Sequence, residues 1–149
     1  MLEIRKATIE DLNELAGMFD LYRIFYEHPS DVEACKQFLQ ERIDNKQSVI
    51  YIATDEGRAV GFTQLYPIFS SAGLKRTWLL NDIYVNEDYR KQHVASRLLD
   101  AAMQLGKETN SAWLLLQTSI DNYAAHIVYQ KKGWERLDDI FYQFNIQQS

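Results

Sequence analysis

Two short segments carry the residue types and spacings that could do chemistry. The first, Leu79 to Leu99 (LLNDIYVNEDYRKQHVASRLL), reads as an apolar strand, a cationic turn and the opening of a helix. A helix start presents orphan main-chain N–H groups and the positive end of the macrodipole, so it is a ready site for phosphate. Here Gln92, His93, Val94, Ala95 and Ser96 supply consecutive donors, with the positive charges of Arg90 and Lys91 beside them, an arrangement suited to a diphosphate. The second segment, Asn122 to Trp134 (NYAAHIVYQKKGW), reads as a short helix with Gly133 at its left-handed stop position.

Taken as a pair, these segments resemble the two signature motifs of the GNAT acyltransferase superfamily. The first motif is a strand followed by R/Q-x-x-G-x-G/A, and Arg90, His93 and Ala95 occupy the marked positions. The second is N-x-x-A-x-x-x-Y-x-x-x-G-F/W, matched at Asn122, Ala125, Tyr129, Gly133 and Trp134. The resemblance implies acetyl-CoA bound between the fourth and fifth strands and an acetyl group moved to an amine. On that reading the turn from Gln92 to Ser96 wraps the CoA diphosphate, aided by the charges of Arg90 and Lys91, and the strand backbone at Ile83, Tyr84 and Val85 pairs with the pantetheine amides as an added strand would. A strand N–H there can also polarise the thioester carbonyl. Asn122 holds either the cosubstrate or the start of its own helix. Tyr129 is the expected acid that protonates the departing thiolate.

His93 departs from the family pattern, which has Gly there so that the backbone can approach phosphate. The expectation is a solvent-facing ring on a backbone of ordinary helical φ; the alternative is a ring that adds a pH-sensitive contact to the phosphates, and a third case is a strained backbone that Gly would relieve. On the acceptor side, Asp82 either takes a proton from the amine, through water, or anchors a cation, or else it is a structural acceptor for backbone donors. LLNDIYV and the YR turn are similar to polyamine acetyltransferases, but Asn81 stands where those enzymes carry Glu. The resemblance implies that Tyr22, Tyr26 and Glu27, at the end of the first helix, face the acceptor entrance, with Phe25 and Trp78 as apolar walls or π faces for a cation; for all five the favoured alternative is ordinary core or rim packing.

These residues need a scaffold, and the 149-residue chain is long enough to build one as a single domain, 1–149. With 46% hydrophobic and 25% charged residues it is globular, and a formal charge of -5 disfavours nucleic acid as a partner. Its single cysteine, Cys35, cannot form an intrachain disulfide, which suits the cytoplasm. No stretch approaches the ~18 apolar residues of a membrane span. The three histidines share no ligand spacing, so no metal is expected.

Alternation predicts strands at Glu3–Ala7, Val49–Thr54, Ala59–Tyr66 and Thr77–Val85; Trp113–Gln117 is a continuous apolar run and a buried strand. Helical spacing and capping boxes at Thr8/Asp11 and Ser30/Glu33 predict helices from Ile9 to Tyr26 and from Asp31 to about Asn45. A third helix spans Val94 to Glu108, Pro67 to Arg76 reads as a loop, and Glu135–Asp138 with Ile140–Ile146 reads as a closing hairpin. The implied architecture is the α/β (α+β) GNAT fold: a mixed, mostly antiparallel sheet of about seven strands with about four helices, ordered β-α-α-β-β-β-α-β-α-β-β. The apolar last strand, Phe141 to Ile146, is too sticky for a bare edge and points to a homodimer. The functional expectation is transfer of acetyl from acetyl-CoA to a small primary amine by direct attack in a ternary complex, with a protein N-acetyltransferase or a non-catalytic CoA-binding module as alternatives.

Overall fold

The computed structural model describes residues 1–147. The chain divides into two compact units, one running from Met1 to Gln117 and the other beginning at Thr118. The first unit contains β1 (Leu2–Lys6), α1 (Leu12–Phe25), α2 (Val32–Asp44), β2 (Val49–Asp55), β3 (Arg58–Ser70), β4 (Lys75–Val85), α3 (Val94–Glu108) and β5 (Leu114–Leu116). Its five strands lie in sequence order, antiparallel except for the parallel pair β4–β5. Helix α4 (Tyr123–Lys131) belongs to the second unit.

Local chemistry explains where the elements begin. Thr8 and Asp11 form a complete capping box ahead of α1, and Arg5 grips the Asp11 carboxylate with two bonds of 2.8 Å. The start of α2 differs from the expected Ser30/Glu33 box. Asp20, on α1, accepts from the Ser30 hydroxyl and the Asp31 N–H, both at 2.7 Å, so the cap passes to Asp31, whose carboxylate accepts from the Ala34 N–H. These two donors hold Asp20 below the usual carboxylate range.

Helices α1 and α2 pack on the sheet face that carries Ile50, Ile52 and Phe62, burying Leu15, Phe19, Cys35 and Leu39. Helix α3 covers the opposite face. The evidence is Gly61, beside Phe62 in β3: a Cβ built there would stand 3.2 Å from Val94 Cγ1 of α3 and 3.0 Å from the Tyr84 carbonyl oxygen. Neighbouring strand residues point to opposite faces, so the glycine lets α3 settle close to the sheet.

Two predicted features are corrected. The loop from Pro67 to Arg76 is only a turn at residues 71–74, because β3 and β4 stay paired out to Ser70↔Lys75. Pro67 is tolerated within β3 because β2 ends at Val49↔Leu65, leaving β3 an edge on that side. The closing hairpin is absent: residues 134–147 contain no strand, and the sheet has five strands rather than seven. Alternation marks a segment as able to form a strand, but a strand exists only where a neighbour completes its main-chain ladder.

Candidate active site

The centre of the site is a fault in β4. Gln64 pairs with Asp82 but Leu65 pairs with Leu80, so Asn81 is an extra residue, a β-bulge. Pairing with β5 stops at the same point, with Leu80↔Leu116 as its last pair. From Asn81 to Val85, β4 therefore has β3 on one side and an open main-chain edge on the other. That edge contains the Ile83, Tyr84 and Val85 backbone to which the amides of an extended ligand could add.

The edge leads into the cationic turn. After a 3-10 turn at Glu87–Tyr89, Arg90 is extended, Lys91 and His93 both take left-handed φ of 64°, and α3 begins at Val94. His93 is exposed, as expected, but its backbone is not helical, so the strained alternative is the one realised. No side chain caps the first turn of α3, whereas α2 and α4 are capped by Asp31 and Asn122. The N–H groups of Val94, Ala95 and Ser96 are thus presented without a side-chain acceptor, as anion binding requires. Arg90 faces elsewhere: its Nε donates to the Val85 carbonyl, and its guanidinium lies 5.9 Å from the Phe25 ring and 5.8 Å from the Tyr84 ring. It braces the turn against α1 and β4. Gln92 donates to the Asp88 carbonyl, and Lys91 is exposed.

Asp82 is 5% exposed and both of its oxygens accept from amides: Oδ2 from Gln64 Nε2 at 2.9 Å and Oδ1 from Asn81 Nδ2 at 3.1 Å. Behind them, the Ser48 hydroxyl donates to Gln64 Oε1 at 2.8 Å, and Thr63 Oγ1 donates to the Asp82 carbonyl at 2.8 Å. Among the described residues Asp82 forms no ion pair. Two phenols sense its charge. Burial first, and the Asp82 carboxylate second, push Tyr66 up to about 12 and Tyr22 higher still, so both hydroxyls keep their protons. The result is a buried anion surrounded by neutral donors.

The expected acceptor residues divide. Tyr22 and Tyr26 pack edge to face, 5.1 Å between centroids, and line a groove of about 430 Å³ between the end of α1 and the start of α2. Phe25 and Glu27 are exposed and are not among its walls; Glu27 occupies the left-handed turn that ends α1. Trp78 does not join them. It is 3% exposed and its indole N–H donates to Thr109 Oγ1, just past the end of α3, at 2.9 Å, which makes it a packing residue on the face away from α1.

In the second unit, Asn122 caps α4 by accepting from the Ala125 N–H at 3.3 Å, the structural of its two expected roles. The helix ends as anticipated at Gly133, φ 94°: the Trp134 N–H donates to the Tyr129 carbonyl and the Gly133 N–H to the Gln130 carbonyl, a Schellman closure. The Tyr129 ring lies 6.1 Å from that of Trp134.

Residues 15–134, spanning both units, match the acetyltransferase (GNAT) family. The chain belongs to that family. It is 40% identical over 134 residues to the uncharacterized N-acetyltransferase YhfO of Bacillus subtilis (strain 168), covering 90% of each chain. The crystal structure of a probable acetyltransferase superposes with a TM-score of 0.92 at 43% identity over 99% of both chains. A predicted acetyltransferase from Clostridium acetobutylicum solved with acetyl-CoA shares the fold, with a TM-score of 0.79 at 20% identity over 98% of this chain and 97% of that one.

This GNAT protein is therefore an N-acetyltransferase that uses acetyl-CoA. The residues present fit that cosubstrate: the open edge of β4 offers amide partners, and the uncapped start of α3 offers donors for phosphate. Among the described residues no group of three or more His, Cys, Asp or Glu side chains could hold a metal ion, and no helix is long and apolar enough to cross a membrane. Sequence reading missed Gln64, Ser48 and Tyr66. The one available signal was Gln64 itself, a polar side chain in the apolar run of β3 (VGFTQLY).

Proposed function

We propose that this acetyltransferase acts on the primary amine of a small molecule, by direct attack in a ternary complex, with Asp82 as the group that meets the amine. The carrying observation is the Asp82 carboxylate: buried, clamped by two amides and, among the described residues, in no ion pair. A buried anion gains most from a ligand that brings the opposite charge. A primary amine, with a pKa near ~10.4, arrives as the ammonium and must lose a proton before it can attack. Asp82 anchors the ammonium and accepts that proton, directly or through water.

Acetyl-CoA supplies an acetyl group on a thioester. The amine nitrogen forms the new C–N bond as the C–S bond breaks, and the sulfur leaves with the electron pair. The donors of Gln92 to Ser96, with Lys91 beside them, neutralise the diphosphate, and the main chain at Ile83, Tyr84 and Val85 holds the pantetheine arm and polarises the carbonyl. Tyr129 returns a proton to the thiolate, a role supported by its place in the Asn122–Trp134 motif.

The test is to mix protein, acetyl-CoA and a panel of primary amines and to follow released thiol. Turnover is expected on at least one amine, with acceptor KM raised about tenfold or more in Asp82→Asn, the loss of one charged hydrogen bond. An unaltered acceptor KM would remove Asp82 from the site.

A second copy of the chain is proposed as partner, because Phe141, Tyr142, Phe144 and Ile146 form an exposed apolar run. Sedimentation at micromolar concentration should report a dimer, and a monomer would end that proposal. The lone reduced Cys35 suits a cytoplasmic setting.

A further inference from the structure

We infer that the acceptor is a monoamine with an apolar or aromatic tail, and that the tail lies in the groove between the end of α1 and the start of α2. This rests on Asp82 as the amine's partner. The groove has the volume of a small-ligand pocket, about 430 Å³. Its walls are the rings of Phe19, Tyr22, Tyr26 and Phe38, with Phe19 and Phe38 stacked at 6.1 Å and Phe19 against Tyr22 at 5.8 Å. Tyr22 connects the two halves of the site, since it lines the groove and its ring lies 6.2 Å from that of Tyr84, two residues from Asp82 on the same face of β4. A molecule with its ammonium at Asp82 therefore has Tyr22 beside it and the other rings beyond.

Charge decides what kind of tail those rings take. Aromatic faces alone would welcome either an apolar group or a second ammonium, the latter through cation–π attraction. The ionisable groups of the lining are Arg23, His28, Cys35 and the two phenols, and no carboxylate lines it. The Arg42 guanidinium already sits 4.3 Å from the centroid of the Phe38 ring, so the chain has placed its own cation on one of those faces. Of the acids nearby, Asp20 is engaged by the Ser30 hydroxyl and the Asp31 N–H and Asp31 by the Ala34 N–H, and the exposed Glu27 lies outside the lining. A second ammonium in the groove would meet cations and no lining carboxylate. An apolar tail loses nothing there and gains from leaving water, at ~25 cal/mol per Å². The likeness of LLNDIYV to polyamine enzymes thus does not extend to the groove, which selects against a second positive charge.

The discriminating pair is hexylamine and 1,5-diaminopentane, which have the same length and differ by a methyl against an ammonium at the far end. The thiol-release assay should give a kcat/KM for hexylamine about tenfold or more above that for the diamine, with 2-phenylethylamine at least as good as hexylamine. Phe38→Ala, at a partly exposed position, should shrink the ratio, and Arg23→Glu should shift it about tenfold toward the diamine. A diamine that equals or beats hexylamine in the unmodified enzyme overturns the inference, as does a ratio that neither variant moves. If instead Asp82→Asn leaves every acceptor KM unchanged, or no amine is acetylated, the amine-site reading itself fails and the inference falls with it.

Discussion

Replacing His93 by glycine tests whether the turn before α3 is strained in the folded chain. His93 has φ 64° and ψ 16°, its ring is exposed, and it makes no capping bond that would compensate. For an L-residue the left-handed region costs roughly 1–2 kcal/mol, from Cβ against the following carbonyl. Glycine removes that cost but loses roughly 0.5–1 kcal/mol of its own through the greater freedom of the unfolded chain. The balance favours His93→Gly by about 0–1.5 kcal/mol, centred at ~0.75, which for a chain of this size raises Tm by about 2–3 °C at the centre of that range. The strain is present before any ligand arrives, so the change belongs to folding and KM for acetyl-CoA should stay within about twofold, well under the tenfold that 1.4 kcal/mol would give. Thermal unfolding without ligand is the assay. Lys91→Gly, at the same φ, should act in the same direction, and His93→Val, β-branched where φ is positive, should lower Tm. A fall in Tm for His93→Gly, or no change in both glycine variants, would refute the argument.

Gln64→Leu removes a side-chain donor from the Asp82 carboxylate and leaves that buried group under-satisfied, so kcat/KM for the amine should fall about tenfold while acetyl-CoA KM holds. Tyr129→Phe should lower kcat by about 10²–10⁴ with acetyl-CoA KM little changed, the signature of a lost proton donor. Asp11, held below its usual value by the Arg5 hydrogen bonds, contributes stability that is present above the unfolded carboxylate pKa and lost as pH falls through its folded value. Asp11→Asn should therefore lower Tm at neutral pH and leave it unchanged in strong acid.

Much of this protein follows from neighbours within a few residues of one another, which is why it can be read directly off the chain. The capping box at Thr8 joins side chains to main-chain groups two or three positions away, and the stop at Gly133 rests on main-chain bonds across three and five positions. The family motif is of the same kind, so acetyl transfer was legible from Asn122 to Trp134 and from Arg90 to Ala95. What tertiary structure decided involves partners far apart in sequence. Asp20 moved a helix cap from Ser30 to Asp31. Gln64 reaches Asp82 only because β3 pairs with β4, and Ser48 reaches Gln64 only because β2 pairs with β3. The open edge past Leu80 exists because β5 is three residues long, a length no pattern in Trp113–Gln117 reveals. Glu135–Asp138 and Ile140–Ile146 read as a hairpin, yet among the described residues no neighbouring strand supplies their ladder bonds. Short-range order was set by bonds the local chain can make alone, and the shape of the site by bonds that only the assembled sheet makes possible.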